Sequence, residues 1–257
     1  MRKFLIGTLV VVLLAGGAAA VAEWYVRARI VNGIAAEVEA FTGTTPDVSI
    51  DSFPVLLDLA RGTIRGVEGT AAVLEAESMA FEDVAVQATE IRTGSVPVIG
   101  TLTATATTAT VHGMGFEQVI IDAGEVATEP LLLGTLHGEA LLPAATVQAL
   151  LQQQMEQEIA VEFGDGVVTA TLTILRQDLA ITLAPEVTDG ALSLLPTEVT
   201  LAGIGLTLGD LPFGLGELVH PFDVQLPIAP LALEGVTLTP EGAQVRLSGT
   251  NVSPDDF

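Results

Sequence analysis

The sequence predicts an α+β fold in which antiparallel β-sheet predominates and two amphipathic helices pack on a curved sheet. Apolar residues recur every three to four positions in two segments, which is typical of helices, and every second position in much of the remainder. The composition is aliphatic, since 49% of the residues are hydrophobic but only 4% are aromatic. Little aromatic bulk and many Gly and Thr residues beside the strands favour strong curvature over a tight sandwich.

The chain opens with an apolar segment. Arg2 and Lys3 precede nineteen uncharged residues, Phe4 to Ala22, which as a helix would span about 28 Å, close to the hydrocarbon thickness of a bilayer. Small residues ending at Ala20 and at Ala22 fit signal-peptidase sites. We therefore expect residues 1–22 to be either a cleaved signal peptide or an uncleaved membrane anchor, and residues 23–257 to form one exported, extracytoplasmic domain.

The first helix is predicted from Trp24 to Phe41. Its apolar positions step by four, four, four and three, and Gly43 followed by Pro46 ends it. The apolar residues of this stripe are Val26, Ile30, Ile34, Val38 and Phe41. Trp24 and Tyr25, the single Trp and Tyr of the chain, either lie at a membrane interface or pack on this helix.

The next segments alternate as half-buried strands do. Val48 and Ile50 are followed by a series that mostly alternates with polar residues: Met79, Phe81, Val84, Val86, Ala88 and Ile91. Leu102 to Thr107 alternates threonine with aliphatic residues, and Phe116 to Ile121 is another strand candidate.

A second helix is predicted mid-chain, opening at Pro143, a favoured first helical position. Its stripe consists of Val147, Leu150, Leu151, Met155 and Ile159. Strands follow at Val168–Ile174, Leu179–Leu183, Val199–Leu201, Leu206–Leu208, Phe222–Leu226, Val236–Leu238 and Val245–Leu247, with turns at Gln177-Asp178, Asp189-Gly190 and Pro240 to Gly242.

Charge excludes several classes of function. The chain carries 32 acidic and 9 basic residues, and from Glu23 onward the balance is 7 − 32 = −25. A nucleic-acid-binding surface needs clustered Lys and Arg, so nucleic acid is not expected as a partner. Adhesion to anionic membranes through a polybasic patch is not expected either. The absence of cysteine excludes disulfides, thiolate catalysis and iron–sulfur clusters.

The sequence offers no recognisable catalytic or metal site. His112, His137 and His220 are isolated, and none has the spacing of a zinc motif. His112 follows a threonine-rich strand and is expected at its end. No nucleophile elbow or phosphate-binding glycine motif is present. We therefore predict a non-enzymatic protein without a cofactor or metal.

Two segments resemble a known family. Phe53-Pro54-Val55-Leu56-Leu57, closed by Gly62, is similar to a phrase that follows the first exported helix in the LmeA-like phospholipid-binding proteins (DUF2993) of actinobacterial envelopes. This chain lacks the glycine ahead of that phrase and has Phe-Pro where the family has Pro-Phe. The end of the chain, from Leu226 to Gly249, resembles the family's closing hairpin.

The resemblance implies a TULIP-like fold, a long helix wrapped by a highly curved antiparallel sheet, that binds phospholipid or a related envelope lipid in an apolar groove. It also implies a part in maintaining envelope glycolipids. The candidate lipid-contacting residues are Ile34, Val38, Phe41, Phe53, Leu56 and Leu57, for which ordinary core packing is the alternative. Two other functions stay open: a membrane-held adaptor domain that acts through protein partners, and an envelope hydrolase or glycosyl-transferring enzyme.

Overall fold

The computed structural model describes residues 22–40, 42–76, 79–155, 159–164, 166–174, 177–206, 222–224 and 231–253. Helix α1 covers residues 22–40, α2 covers Val55–Ala60 and α3 covers Ala144–Met155. Among these residues no helix combines the length and the hydropathy needed to cross a membrane.

Most of the described chain is antiparallel β-strand. The strands of the first half are β1 (Asp47–Ile50), β2 (Thr63–Ala76), β3 (Met79–Arg92), β4 (Val98–Val111), β5 (Met114–Thr128) and β6 (Leu131–Pro143). Those of the second half are β7 (Ala160–Phe163), β8 (Val168–Ile174), β9 (Gln177–Thr188), β10 (Ala191–Leu201), β11 (Ile204–Leu206), β12 (Phe222–Val224), β13 (Ala232–Thr239) and β14 (Gly242–Val252).

The strands form two sheets. The first is an open, curled sheet of eight strands in the order β1-β2-β3-β4-β5-β6-β14-β13, so the C-terminal hairpin returns to pair with β6. The second has the order β11-β10-β9-β8-β7, with β12 paired to β10. Tight turns join most neighbouring strands, and at His112-Gly113 and Asp189-Gly190 both residues have positive φ, as two-residue hairpin turns require.

One large hydrophobic cluster joins the two sheets and α3. Alternate residues of β9, namely Leu179, Ile181 and Leu183, are fully buried in it. Val147 and Leu151 supply the buried stripe of α3, and Val245 extends the cluster into the eight-stranded sheet. A smaller cluster of Ile50, Val55 and Ile64 lies beneath α1 and α2, where Val26, Ile30 and Val31 of α1 pack against it.

The sequence predicted both amphipathic helices and the change to alternating strands, and these are confirmed with different boundaries. The second helix begins at Ala144, because Pro143 is the last residue of β6, and Ile159 lies beyond its end. The turn predicted at Gln177-Asp178 is wrong, since both residues belong to β9 and pair with β8. The turn at Asp189-Gly190 and the place of His112 at the end of a strand are confirmed.

Some predictions fall partly or wholly outside the described residues. They concern Phe41, His220, Leu208 and Leu226, together with the apolar segment before residue 22.

Candidate functional site

The main candidate site is an apolar cavity of about 710 Å³ between α1 and the inner face of the eight-stranded sheet. Ile34, Glu37 and Val38 of α1 line one side of it. Strands β1 to β4 supply the opposite wall with apolar side chains, which include Val48, Ile64, Val67, Leu74, Val84, Val86, Ala88, Ile91, Ile99 and Leu102.

The ladders explain why these residues share one face. Val67 pairs with Ala88, and Ala88 pairs with Leu102 on the next strand. Residues directly opposite each other on antiparallel strands project to the same side, so the alternating pattern of each strand adds to one continuous apolar surface. The neighbours of these residues in the chain, such as Ala85 and Gln87, are exposed on the other side.

Two rows of interrupted pairing cross the eight-stranded sheet. The first row consists of positions that face one another on successive strands: Arg65, Glu90, Gly100, Glu125, Gly134 and Asn251. Glu90, Glu125 and Asn251 have φ between 53° and 54°. The second row contains Asp83 and Gln118, each with φ 51°. Interrupted ladders bend strands and increase their twist, so these rows contribute to the curl of the sheet.

Glycines make the first row possible. A Cβ on Gly100 would lie 2.8 Å from the Cβ of Glu90, and one on Gly134 would lie 3.2 Å from the Cβ of Glu125. The rows also account for the sequence pattern, because the apolar series of β3 steps by three from Phe81 to Val84 and from Ala88 to Ile91, across Asp83 and Glu90. Each left-handed residue shifts the alternation, and the apolar residues stay on the inner face.

Polar contacts fasten the first turns of α1 to the segment that follows β1. The carboxylate of Glu23, which is 8% exposed, accepts hydrogen bonds from the backbone N–H groups of Val55 and Leu56 at the start of α2. One turn later the Arg27 guanidinium donates to the backbone oxygens of Ile50 and Ser52. The bonds to Glu23 satisfy amide groups at the start of α2 that have no partner within the helix, and both sets of bonds fix the position of α1 over the cavity.

A second set of contacts orders the same segment from the side of β2. The Arg65 Nε lies 3.0 Å from the Asp58 carboxylate, whose side chain is buried, and the guanidinium also donates to the Phe53 carbonyl at 3.2 Å. The fully buried Ser52 hydroxyl accepts from the Arg65 N–H at 2.8 Å. The segment from Ser52 to Asp58 is therefore tied to both α1 and β2.

The charged residues that line the cavity are acidic. Glu37 and Glu129 lie on its border with Thr93 and Thr128, and among the residues that the structure describes no Lys or Arg lines it. The cavity therefore resembles an aliphatic slot with a few polar groups at its rim, which suits hydrocarbon chains.

A smaller apolar cavity of about 300 Å³ lies further along β3 to β6, lined by residues that include Phe81, Val111, Phe116 and Leu136. Phe81 and Phe116 belong to the same hydrophobic cluster as Val84 and Val86 of the main cavity. In the described part of the chain, the inner face of the eight-stranded sheet thus borders two apolar cavities.

The sequence-predicted site residues separate into two groups. Ile34 and Val38 line the main cavity, together with strand residues that the sequence had not singled out. Phe53, Leu56 and Leu57 do not line it, since they lie on and beside α2, where Phe53 is 73% exposed and Leu57 is 44% exposed. Phe41 is outside the described residues. Whether any of them contacts lipid stays a prediction.

The strand residues of the cavity were missed because alternation marks a face without showing whether that face is filled. The sequence did contain one indication of the curved sheet. The apolar residues of β3 twice lie three positions apart instead of two, at the places where the sheet bends. The described residues contain no group of three or more His, Asp or Glu side chains placed to hold a metal ion.

Comparison with known proteins gives one match. The family model described as LmeA-like phospholipid-binding matches residues 17–253, which is 237 of the 257 residues. No curated protein and no solved structure matches the chain.

Proposed function

The chain belongs to the LmeA-like phospholipid-binding family, and we propose that it is an exported, non-enzymatic carrier that holds the acyl chains of a phospholipid or related envelope lipid in the main cavity. The observation that carries this proposal is the apolar space of about 710 Å³ between α1 and strands β1 to β5. In this proposal α1 and the curled sheet act together as a TULIP-like lipid groove. Its place of action is the extracytoplasmic envelope, with residues 1–22 serving as signal peptide or anchor.

The dimensions of the cavity suit one or two acyl chains. Along β2 its lining runs from Ile64 to Leu74, a distance of ten residue steps or about 33 Å. One leaflet of a bilayer's hydrocarbon core is about 15 Å thick, so an acyl chain fits within this length. Burial of a sixteen-carbon chain contributes on the order of 10 kcal/mol before the costs of binding are subtracted.

The acidic rim supports tail recognition as the main source of affinity. Glu37 and Glu129 are the charged residues that line the cavity, and neither attracts a phosphate group. The head group is therefore expected to remain at the rim in contact with water, while the aliphatic walls select for hydrocarbon.

Lipid binding is tested by substituting a residue of β3 so that a large side chain fills part of the cavity. Ala88→Trp places a large side chain in the cavity, whereas Ala85→Trp places the same side chain on the exposed face of the same strand. The delipidated protein is titrated with a fluorescent phospholipid, and mass spectrometry identifies the lipids that co-purify from the native envelope. We expect Ala88→Trp to weaken binding at least about tenfold, or 1.4 kcal/mol, and Ala85→Trp to bind as the unmodified chain does.

The smaller substitution Ala88→Leu controls for misfolding of the tryptophan variant. We expect it to reduce lipid affinity by less than Ala88→Trp does and to leave the thermal stability unchanged. Equal binding by the Ala88 and Ala85 variants, or no lipid binding by the unmodified chain, would overturn the proposal.

A further inference from the structure

One end of the eight-stranded sheet carries an unusual concentration of exposed apolar side chains. Eight large hydrophobic residues are exposed among the residues that the structure describes, and six of them lie at the end where β2, β4 and β6 begin. We call this set the docking face: Trp24, Tyr25, Phe53, Leu57, Val96 and Leu131. The other two, Ile120 and Ile204, lie elsewhere, the latter on the six-stranded sheet.

The docking face is assembled from four separate parts of the chain. Trp24 and Tyr25 follow Glu23, whose carboxylate binds the start of α2, so the first turn of α1 lies beside Phe53 and Leu57. The turn that contains Val96 is joined to the end of α2 because the Thr93 N–H donates to the Gly62 carbonyl at 2.9 Å.

Leu131 opens β6 and pairs with Thr128 of β5, next to the beginning of β4. From β2 to β6 the face spans four strand spacings, about 19 Å.

The exposure of these side chains is built into the fold. Three polar side chains of the same segments, Glu23, Ser52 and Asp58, point inward, where they are buried and hydrogen-bonded. The large apolar groups point outward, with Trp24 70% exposed and Phe53 73% exposed. A surface that buries two carboxylates and exposes its aromatic groups is unusual for a soluble domain, and exposed apolar patches mark interaction sites.

Charge distinguishes this end from the rest of the molecule. The segments that form it, residues 22–36, 50–66, 90–98 and 125–132, contain five arginines and six acidic residues, or 5 − 6 = −1. The rest of the chain after residue 22 then carries −25 + 1 = −24. This end is therefore nearly neutral, and it holds five of the seven basic residues that follow residue 22: Arg27, Arg29, Arg61, Arg65 and Arg92.

From these observations we propose that the docking face inserts into the interface of a phospholipid bilayer. Trp and Tyr favour the level of the head groups, Phe and Leu can enter the hydrocarbon boundary, and the exposed Arg29 and Arg61 can bind lipid phosphates through their planar guanidinium groups. The strongly acidic remainder is repelled by phosphate-rich surfaces, so this end alone faces the membrane.

The sequence before the described residues favours a bilayer over a protein partner. The uncharged run from Phe4 to Ala22 ends two residues before Trp24, so the docking face adjoins the most hydrophobic segment of the chain. Thr93, Pro97, Thr128 and Glu129 of the neighbouring turns line the main cavity. Docking therefore brings one end of that cavity to the bilayer, although the docking itself does not depend on a lipid in the cavity.

The test uses single cysteines, since the chain has none of its own. Phe53→Cys, Val96→Cys and the control Ile204→Cys are made in the full chain, labelled with an environment-sensitive fluorophore and reconstituted in vesicles of phosphatidylcholine and phosphatidylglycerol. We expect a severalfold emission increase and quenching by spin-labelled lipids at positions 53 and 96, and neither effect at position 204. All three positions are exposed, so burial within the fold does not distinguish them.

Equal water exposure at positions 53, 96 and 204 in vesicles would overturn the proposal. Protection at 53 and 96 that appears without vesicles and rises with protein concentration would instead identify a second copy of the chain as the occupant, and would also overturn it.

A charge-matched pair tests the contribution of the arginines. Arg61→Gln and Arg246→Gln each remove one exposed positive charge, the first at the docking face and the second on β14. In the Val96→Cys background we expect Arg61→Gln to reduce the lipid quenching and Arg246→Gln to leave it unchanged. Equal effects of the two variants would count against head-group contact by Arg61.

Discussion

The two sheets present similar alternating aliphatic patterns to the interior, but they bury them to different extents. On β9 of the six-stranded sheet, Leu179, Ile181 and Leu183 are completely inaccessible to solvent. On β3 and β4 of the eight-stranded sheet, Val86 and Leu102 remain partly accessible and face an unfilled cavity. Alternation thus identifies an apolar face, whereas the elements that cover the face decide whether it is packed.

The largest expected difference comes from truncating one leucine in each sheet. Leu183→Ala creates a cavity in a closed core and should lower the free energy of unfolding by about 3–5 kcal/mol. Leu102→Ala enlarges a space that already exists and should lower that free energy by only about 1 kcal/mol, since Leu102 is partly accessible and borders the cavity. Urea unfolding of the delipidated full-length protein measures both. Similar losses for the two variants would mean that the cavity wall is packed as tightly as the core.

A smaller effect is expected when a contact that holds α1 over the cavity is removed. The six-stranded face is held by apolar packing, whereas α1 is held over the other sheet partly by the Glu23 carboxylate. Glu23→Ala leaves two backbone N–H groups at the start of α2 without this acceptor. It should lower the free energy of unfolding by about 2 kcal/mol. Glu39→Ala, an exposed position on the same helix, should stay within about 0.5 kcal/mol.

Hydrogen exchange locates the effect of the Glu23 substitution. We expect exchange in α1, which can open locally, to accelerate more in Glu23→Ala than exchange of the β9 amides, which open only with the whole fold. Uniform acceleration across both sheets would show that this contact stabilises the whole fold and does not act on the cover of the cavity alone.

The smallest predicted effect tests the curl of the eight-stranded sheet. In Gly100→Ala the new Cβ would lie 2.8 Å from the Glu90 Cβ, and relieving this overlap should cost between about 1 and 2 kcal/mol. Gly115→Ala, on β5 with no atom within 4 Å of a new Cβ, should change stability by less than about 0.5 kcal/mol. Thermal unfolding compares them, and equal shifts would contradict the steric role of Gly100.

Much of the secondary structure could be predicted from local periodicity. The stripe of α1, the buried Val147 and Leu151 of α3 and the alternation of β8 and β9 are local properties of the sequence, and the structure agrees with them. Helix α2 was not predicted, because six residues are too few to display a helical period. Strand β2 was not predicted either, since Gly66 and Gly69 interrupt its apolar pattern.

The candidate site was predicted only in part. Ile34 and Val38 were found because the helical period aligns them, and both line the cavity. Phe53 and Leu57 were named through the family phrase, but the structure places them on the outer end of the sheet. Sequence similarity can mark a segment as characteristic without telling which way its side chains face, since that depends on contacts with Glu23 and Arg65 from other elements.

Sequence alone establishes the aliphatic alternation, the helical stripes and the acidic excess of the chain after residue 22, because each is a property of neighbouring residues or of a simple count. It predicted no basic cluster, since the five arginines between residues 27 and 92 are far apart in the chain. Tertiary contacts bring the segments that carry these arginines to the end of the sheet with six exposed apolar side chains, and in the described part of the chain they leave one apolar face beside a cavity. Both outcomes depend on which distant segments meet, and a local pattern carries no information about those meetings.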